Sequence, residues 1–170
     1  MNDSDENNIH SGEIHKYKQS ADENQEARSK PATSSSDTGL QMTLDDVLDP
    51  GLLFDAGYND MPLEELVQLG NEVSTTKPIR VVTNWSWFDI RTNKNVFDRY
   101  ADAGLQPVML MANEILYDST DPDAVGNWVR TSLLQKFHPP GIFETRNRVY
   151  VMVNSGRRKS VTPEFINSIF

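Results

Sequence analysis

Few side chains in this sequence could carry covalent or acid–base chemistry. There are three histidines and no cysteine, which excludes thiol nucleophiles, disulfides and the usual structural zinc sites. His10 and His15 have no third ligand nearby and read as solvated residues. His138 is followed by Pro139-Pro140-Gly141, which places it on an exposed turn rather than in a general-base position. The hydroxyl candidates are Thr131, Ser132 and Thr145, but none sits in a strand-turn-helix elbow with a base at hand. Asp89, Glu114 and Asp118 fall near expected strand ends and could gather round a divalent cation; capping and salt bridging fit their spacing better. No glycine-rich phosphate loop is present. The expectation is therefore no catalytic residue, no metal and no cofactor.

The binding candidates are basic and aromatic. Arg146, Arg148, Arg157, Arg158 and Lys159 form a group close to Tyr150, a combination that can contact phosphates and stack a base. The charge distribution argues against a polyanion. The whole chain stands at −9, and residues 41–75 hold eight acidic residues and no basic one. That acidic front could fold over the basic group. Trp85, Trp87 and Trp128 are core residues by default. Trp85 and Trp87 share one face of an extended chain, so one of them is available for a surface. Arg130 with Trp128, or Trp85 near Arg146, would make the aromatic–arginine centre common in protein interfaces.

The elements that hold these groups are expected to start near Leu40. Residues 1–40 contain almost no large apolar side chain, and such a segment is expected to be a disordered polar tail. Residues 41–170 read as one α+β domain. Thr43 to Asp46 fits a capping box, and Leu52, Leu53 and Phe54 give a small apolar anchor. Asp60 can cap a helix carrying Leu63, Leu66 and Val67, with Gly70 as its stop. Ile79 to Ile90 is a strand by its β-branched and aromatic content. A helix from Val96 to Ala103 follows, capped by Asn95, with Phe97, Tyr100 and Ala101 inward. The apolar run Pro107 to Ala112 is a buried strand. Strand, helix and strand make a compact β-α-β unit, whose crossover would be right-handed if the strands are parallel. Residues 128–137 read as a strand paired across His-Pro-Pro-Gly, with Phe137 opposite Ile142 and Leu134 opposite Thr145. Val149 to Val153 is the last strand, with Tyr150 and Met152 on one face and the valines on the other. A polar run then leads to a terminal helix opened by Thr162-Pro163-Glu164.

The segments Trp128 to Leu134, Phe143 to Val151 and Gly156 to Lys159, with the Trp87-Asp89-Ile90 and Leu116-Asp118 patterns upstream, resemble an uncharacterised family. Its members are small proteins of proteobacteria and their phages, classed as a domain of unknown function. The resemblance spans roughly residues 79–160. It implies a small accessory domain and carries over no catalytic residue.

The expected fold is a small mixed or antiparallel sheet of four to six strands with two or three short helices. The expected function is a non-enzymatic interaction protein, a phage or mobile-element accessory that regulates or inhibits a host protein partner. The alternative is a nucleic-acid-binding regulator using the basic hairpin. The start, Met1 to Glu6, has neither a basic cluster nor an apolar run. No stretch reaches the roughly 20 apolar residues that cross a bilayer. The chain is thus expected in the cytoplasm, without a membrane partner.

Overall fold

A computed structural model of the chain describes residues 44–169. The polar tail expected over 1–40, the capping residue Thr43 and the first residues of the expected domain lie outside that range. In chain order the described elements are α1 (Leu44–Leu48), β1 (Leu52–Phe54), α2 (Leu63–Val73), β2 (Ile79–Ile90), α3 (Lys94–Asp102) and β3 (Val108–Asp118). A short 3-10 turn (Pro122–Ala124) leads to β4 (Val129–Arg130), β5 (Leu134–His138), β6 (Ile142–Thr145), β7 (Val149–Met152), β8 (Gly156–Val161) and α4 (Pro163–Ser168). The α+β class holds, but the sheet has eight strands instead of the four to six expected. The additional strands are β1, too short to show a period, and β8, half of whose residues are charged, while the single strand expected over 128–137 is broken into β4 and β5 by residues 131–133.

The sheet is organised by β2, which is long enough to serve different neighbours at its two ends. β3 runs antiparallel along one edge from Arg80↔Asp118 to Asp89↔Val108. The β2–α3–β3 connection is therefore antiparallel, and no parallel crossover forms there. The other edge of β2 is shared by β7 and β8, both parallel to it. Ile79 to Val82 pair with β7, and Ser86 to Ile90 pair with β8. Between the two contacts the register slips by one residue, at Asn154, which takes a left-handed backbone with φ 61°. Asn84 on β2 does the same with φ 53°. Asn is among the residues that tolerate this conformation. The turn lets Val82 and Trp85, three residues apart, reach the same core.

The ladder continues from β7 to β5, and a single bridge links β5 to the residues before β3. β7 pairs with β6 and β6 with β5. At the start of β5 an isolated bridge joins Leu134 to Gln106, just before β3, with the Gln106 N–H donating to the Leu134 carbonyl at 2.8 Å, and between β4 and β5 the Thr131 N–H donates to the Leu110 carbonyl of β3 at 2.9 Å. Each strand of the ladder turns one face inward, and Val82, Trp85, Trp87, Leu110, Phe143 and Met152 fill the inside. Two smaller cores lie on the outside. In one, Leu66 of α2 packs on Ile79, Val81, Val149 and Val151. In the other, Phe165 and Ile166 of α4 pack on Phe88 and Val161.

Several local expectations need correction. α2 does not stop at Gly70 but runs through it to Val73. A Cβ on Gly70 would lie 2.8 Å from Cγ2 of Ile79, so the missing side chain serves close helix–sheet packing. Nor does Asp60 cap that helix, whose N-cap position is Pro62. α3 begins one turn-fraction earlier than expected, capped by Asn93, whose side chain accepts from the Val96 N–H at 3.0 Å. It buries none of its residues, and Phe97 and Ala101, expected inward, are exposed. The β5–β6 pairing keeps Leu134 opposite Thr145, but a bulge at Gln135 shifts the rest by one. Phe137 therefore faces Phe143, and Ile142 faces His138.

Candidate binding surfaces

The basic group is brought together and then largely used inside the molecule. Arg158 grips Asp89 with both arms of its guanidinium, Nε to Oδ2 at 2.6 Å and Nη2 to Oδ1 at 3.0 Å. The hydrogen bond from Arg158 to Asp89 raises the guanidinium pKa further, against a smaller effect of burial. The same cation lies 5.2 Å from the Phe54 ring centre and 5.4 Å from that of Trp87. Trp87 Nε1 adds a hydrogen bond to Asp89 Oδ1 at 3.1 Å. Lys159 Nζ donates to the Asp49 carbonyl at 3.0 Å and stands 4.1 Å from the Phe165 ring centre. Arg157 donates to the Gly51 carbonyl at 3.3 Å. The acidic front does fold along the basic strand, since β1 pairs with β8. It meets Arg157 and Lys159 through the backbone carbonyls of Gly51 and Asp49.

The remaining two arginines are tied elsewhere. Arg146 Nη2 donates to the Ala103 carbonyl at 2.7 Å, at the C-terminal end of α3, where a cation is favoured by the helix dipole. Arg148 Nη1 donates to Asp118 Oδ2 at 2.8 Å, and Arg80 binds the same oxygen through Nε at 2.6 Å and through Nη2. The Asp118 side chain is fully buried. Burial opposes its charge, but the hydrogen bonds from Arg148, Thr120 and Arg80 outweigh that and hold the carboxyl well below the usual carboxylate range. Asp89 and Asp118 thus sit at opposite ends of the β2–β3 ladder, each with an arginine. Among the described residues no three acidic or imidazole groups gather as a metal site.

His138 is the last residue of β5, half-buried, with Nε2 at 2.7 Å from Glu144 Oε2. Lys77 Nζ donates to the other oxygen of Glu144 at 2.8 Å. Burial would raise the Glu144 pKa, but Lys77 and His138 lower it overall. Thr145 spends its hydroxyl on the turn, donating to the Arg148 carbonyl at 3.0 Å.

The aromatic candidates separate cleanly. Trp85, Trp87 and Tyr150 are all in the inner core. Trp85 Nε1 donates to the carbonyls of Val153 and Asn154, both at 3.1 Å, and so ties down the break between β7 and β8. Its ring lies flat on Gly156, where a Cβ would come within 2.3 Å. Burial raises the Tyr150 pKa. Trp128 is at the surface, 60% exposed, and its neighbour Arg130 is exposed as well.

Two surface features were not singled out by residue type. The first is the front. Leu52, Leu53 and Phe54 do not act together as an anchor. Only Phe54 packs, edge-on to Trp85 and Trp87 with ring centres at 5.9 and 5.5 Å. Leu52 and Leu53 are exposed, as are Leu44, Val47 and Leu48 of α1. Three consecutive apolar residues on a strand cannot all face one way, and that was the available signal. The second is a groove of about 540 Å³ walled by residues of α3, β3, β4 and α4, including Arg130. Its walls come from four separate stretches of chain, so no local pattern marks it.

A family model described as a domain of unknown function, DUF6957, matches residues 57–168. The chain belongs to this family. The match takes in β2 to β8, all of α2 and α3, and the groove, while α1 and β1 precede it. No curated protein and no solved structure matches the chain.

Proposed function

We propose that the chain is a non-enzymatic interaction protein that binds a protein partner through the apolar strip of α1 and β1. One observation carries this reading. Of ten exposed large apolar side chains among the described residues, five fall in the stretch from Leu44 to Leu53. Solvent-exposed apolar residues scattered singly are ordinary, but a contiguous group is a feature of interaction sites. The segment 44–53 also contains Asp45, Asp46 and Asp49 and no basic residue. The complementary partner is therefore an apolar surface with a basic rim. β1 pairs with β8 alone among the described residues, so its other edge can also accept a strand. A chain of this kind acts by occupying its partner, in keeping with an accessory of a phage or mobile element that regulates or inhibits a host protein. The internal pairing of Arg148 and Arg158 with carboxylates weighs against the nucleic-acid alternative.

The test is capture from nuclease-treated lysate with the full chain and with a Leu52→Asp/Leu53→Asp variant. The expected result is a protein retained by the parent chain and lost with the variant at unchanged melting temperature. Retention that disappears with nuclease, or that the variant keeps, would overturn the reading. So would a dimer of the chain alone that the variant dissolves, since the strip would then be covered by a second copy.

A further inference from the structure

Three strands of the sheet, β1, β4 and β5, have a single partner strand each among the described residues, and their outer edges are not finished alike. An open row of backbone N–H and C=O groups invites a further strand, and proteins block it with a lysine, with a bulge or by keeping the strand very short. β5 has the exposed Lys136, a bulge at Gln135 and the bridge from Leu134 to Gln106. β4 has only two residues. β1 has neither lysine nor bulge. Its three residues are Leu52, Leu53 and Phe54, and they pair with β8 in an unbroken register. Leu52 is 80% exposed and Leu53 72%. A cavity of about 350 Å³ opens beside this strand, with Leu52, Leu53, Phe54, Asp89 and Arg158 in its lining. The cations there are already bonded, Arg158 to Asp89 and Lys159 to the Asp49 carbonyl, so the space suits an apolar side chain.

We infer that β1 takes up an extended segment of the protein partner as an added strand, with apolar and basic residues alternating along that segment. This binding mode presupposes the front as the partner's surface, as proposed above, and adds how the partner is held. Main-chain hydrogen bonds to the outer edge of β1 give the grip, and the cavity selects an apolar side chain. Successive side chains of a strand point to opposite faces, so the residues between the apolar ones are available for charge. Three Asp and no basic residue in the segment 44–53 favour cations at those places. At the β5 edge, Lys136 repels the same strand.

The probe is the heptapeptide KVKVKVK, acetylated, amidated and fluorescein-labelled, titrated with the full chain by fluorescence anisotropy. It should bind. The same peptide with its two central amide nitrogens methylated loses a donor on each edge and should bind about tenfold or more weakly, the ratio for a lost hydrogen bond. EVEVEVE should bind least. On the protein side, the backbone groups of neighbouring strand residues point to opposite edges. Of Leu52→Pro and Leu53→Pro, one therefore places its ring at the outer edge, where proline is tolerated. That variant should keep the parent melting temperature and lose the peptide, while the other melts lower. If neither folds, the methylated peptide decides alone. No binding of KVKVKVK, equal binding of its methylated form, or full binding in both proline variants would overturn the inference. So would a dimer of the chain alone that the outward proline dissolves. A captured protein that Leu52→Asp/Leu53→Asp loses but both prolines keep removes the added strand and leaves the front as the binding surface. One that the Asp variant keeps removes both.

Discussion

β7 and β8 lie end to end against the same edge of β2, and they hold it by opposite means. All four residues of β7 are buried, with Val149 and Val151 toward α2 and Tyr150 and Met152 toward the inner core. β8 buries only its end residues, Gly156 and Val161. Between them, Arg157, Arg158 and Lys159 hold by hydrogen bonds and by contacts of cations with aromatic rings. A strand can thus be secured by side chains that look, one by one, like a solvent-facing or phosphate-binding group. What distinguishes them is whether each cation already has a partner in the fold.

The contrast is broken most severely on the β7 side. Tyr150→Ala removes a large buried aromatic, and an equilibrium denaturation series should show a loss of about 3–5 kcal/mol. Asp118→Asn comes next, since it leaves Arg80 and Arg148 facing a neutral group in a closed site. Breaking a buried pair in this way costs about 3 kcal/mol or more. The variant should also change the response to acid. The Asp118 pKa is lowered in the folded chain, so its contribution is full above the ordinary carboxylate pKa of about 3.9 and fades as pH falls below it. Melting temperatures measured from neutral to acidic pH should therefore fall less steeply for Asp118→Asn than for the parent.

Gly156→Ala probes the point where the two strands meet. The added methyl would press on the Trp85 ring, itself held by two carbonyls. Overpacking against a fixed group should cost about 1–3 kcal/mol, read by the same denaturation. On β8, Arg158→Ala should cost only about 1 kcal/mol, because the ion pair is half-exposed and partly screened by solvent. The smallest expected effect is on nucleic acid. With its cations already bonded within the chain, the hairpin should bind oligonucleotides weakly, with a salt slope near zero. Three to five free phosphate contacts would instead give a slope of roughly −2 to −4. A steep slope removed by changing Arg157, Arg158 and Lys159 to Ala would restore the basic hairpin as a binding surface.

Local pattern made some of this legible in advance. The alternation of Val149 to Met152 told which residues share a face, and the His-Pro-Pro-Gly turn announced the β5–β6 hairpin. Thr162 before Pro163 marked the start of α4, and its hydroxyl does accept the Phe165 N–H at 3.2 Å. These are interactions among near neighbours in the chain, where residue type and spacing carry the physics. β8 was not legible, because nothing in Gly-Arg-Arg-Lys-Ser-Val alternates between apolar and polar. It is a strand because β2 and β1 offer it edges on both sides.

Residue type and spacing were enough for the α+β class, the course of β2, the first half of β3, the hairpin turn and the uneven distribution of charge. The tertiary structure alone decided which charges are spent. Arg148 reaches Asp118 across 30 residues, Arg158 reaches Asp89 across 69, and Lys159 reaches the Asp49 carbonyl across 110. The same holds for Trp85, whose indole partners lie 68 and 69 residues away. A charged or aromatic side chain has the same composition whether it is paired or exposed. Only the pairing of distant strands brings it to a carboxylate, a carbonyl or open solvent, and that pairing is a property of the whole sheet rather than of any one segment.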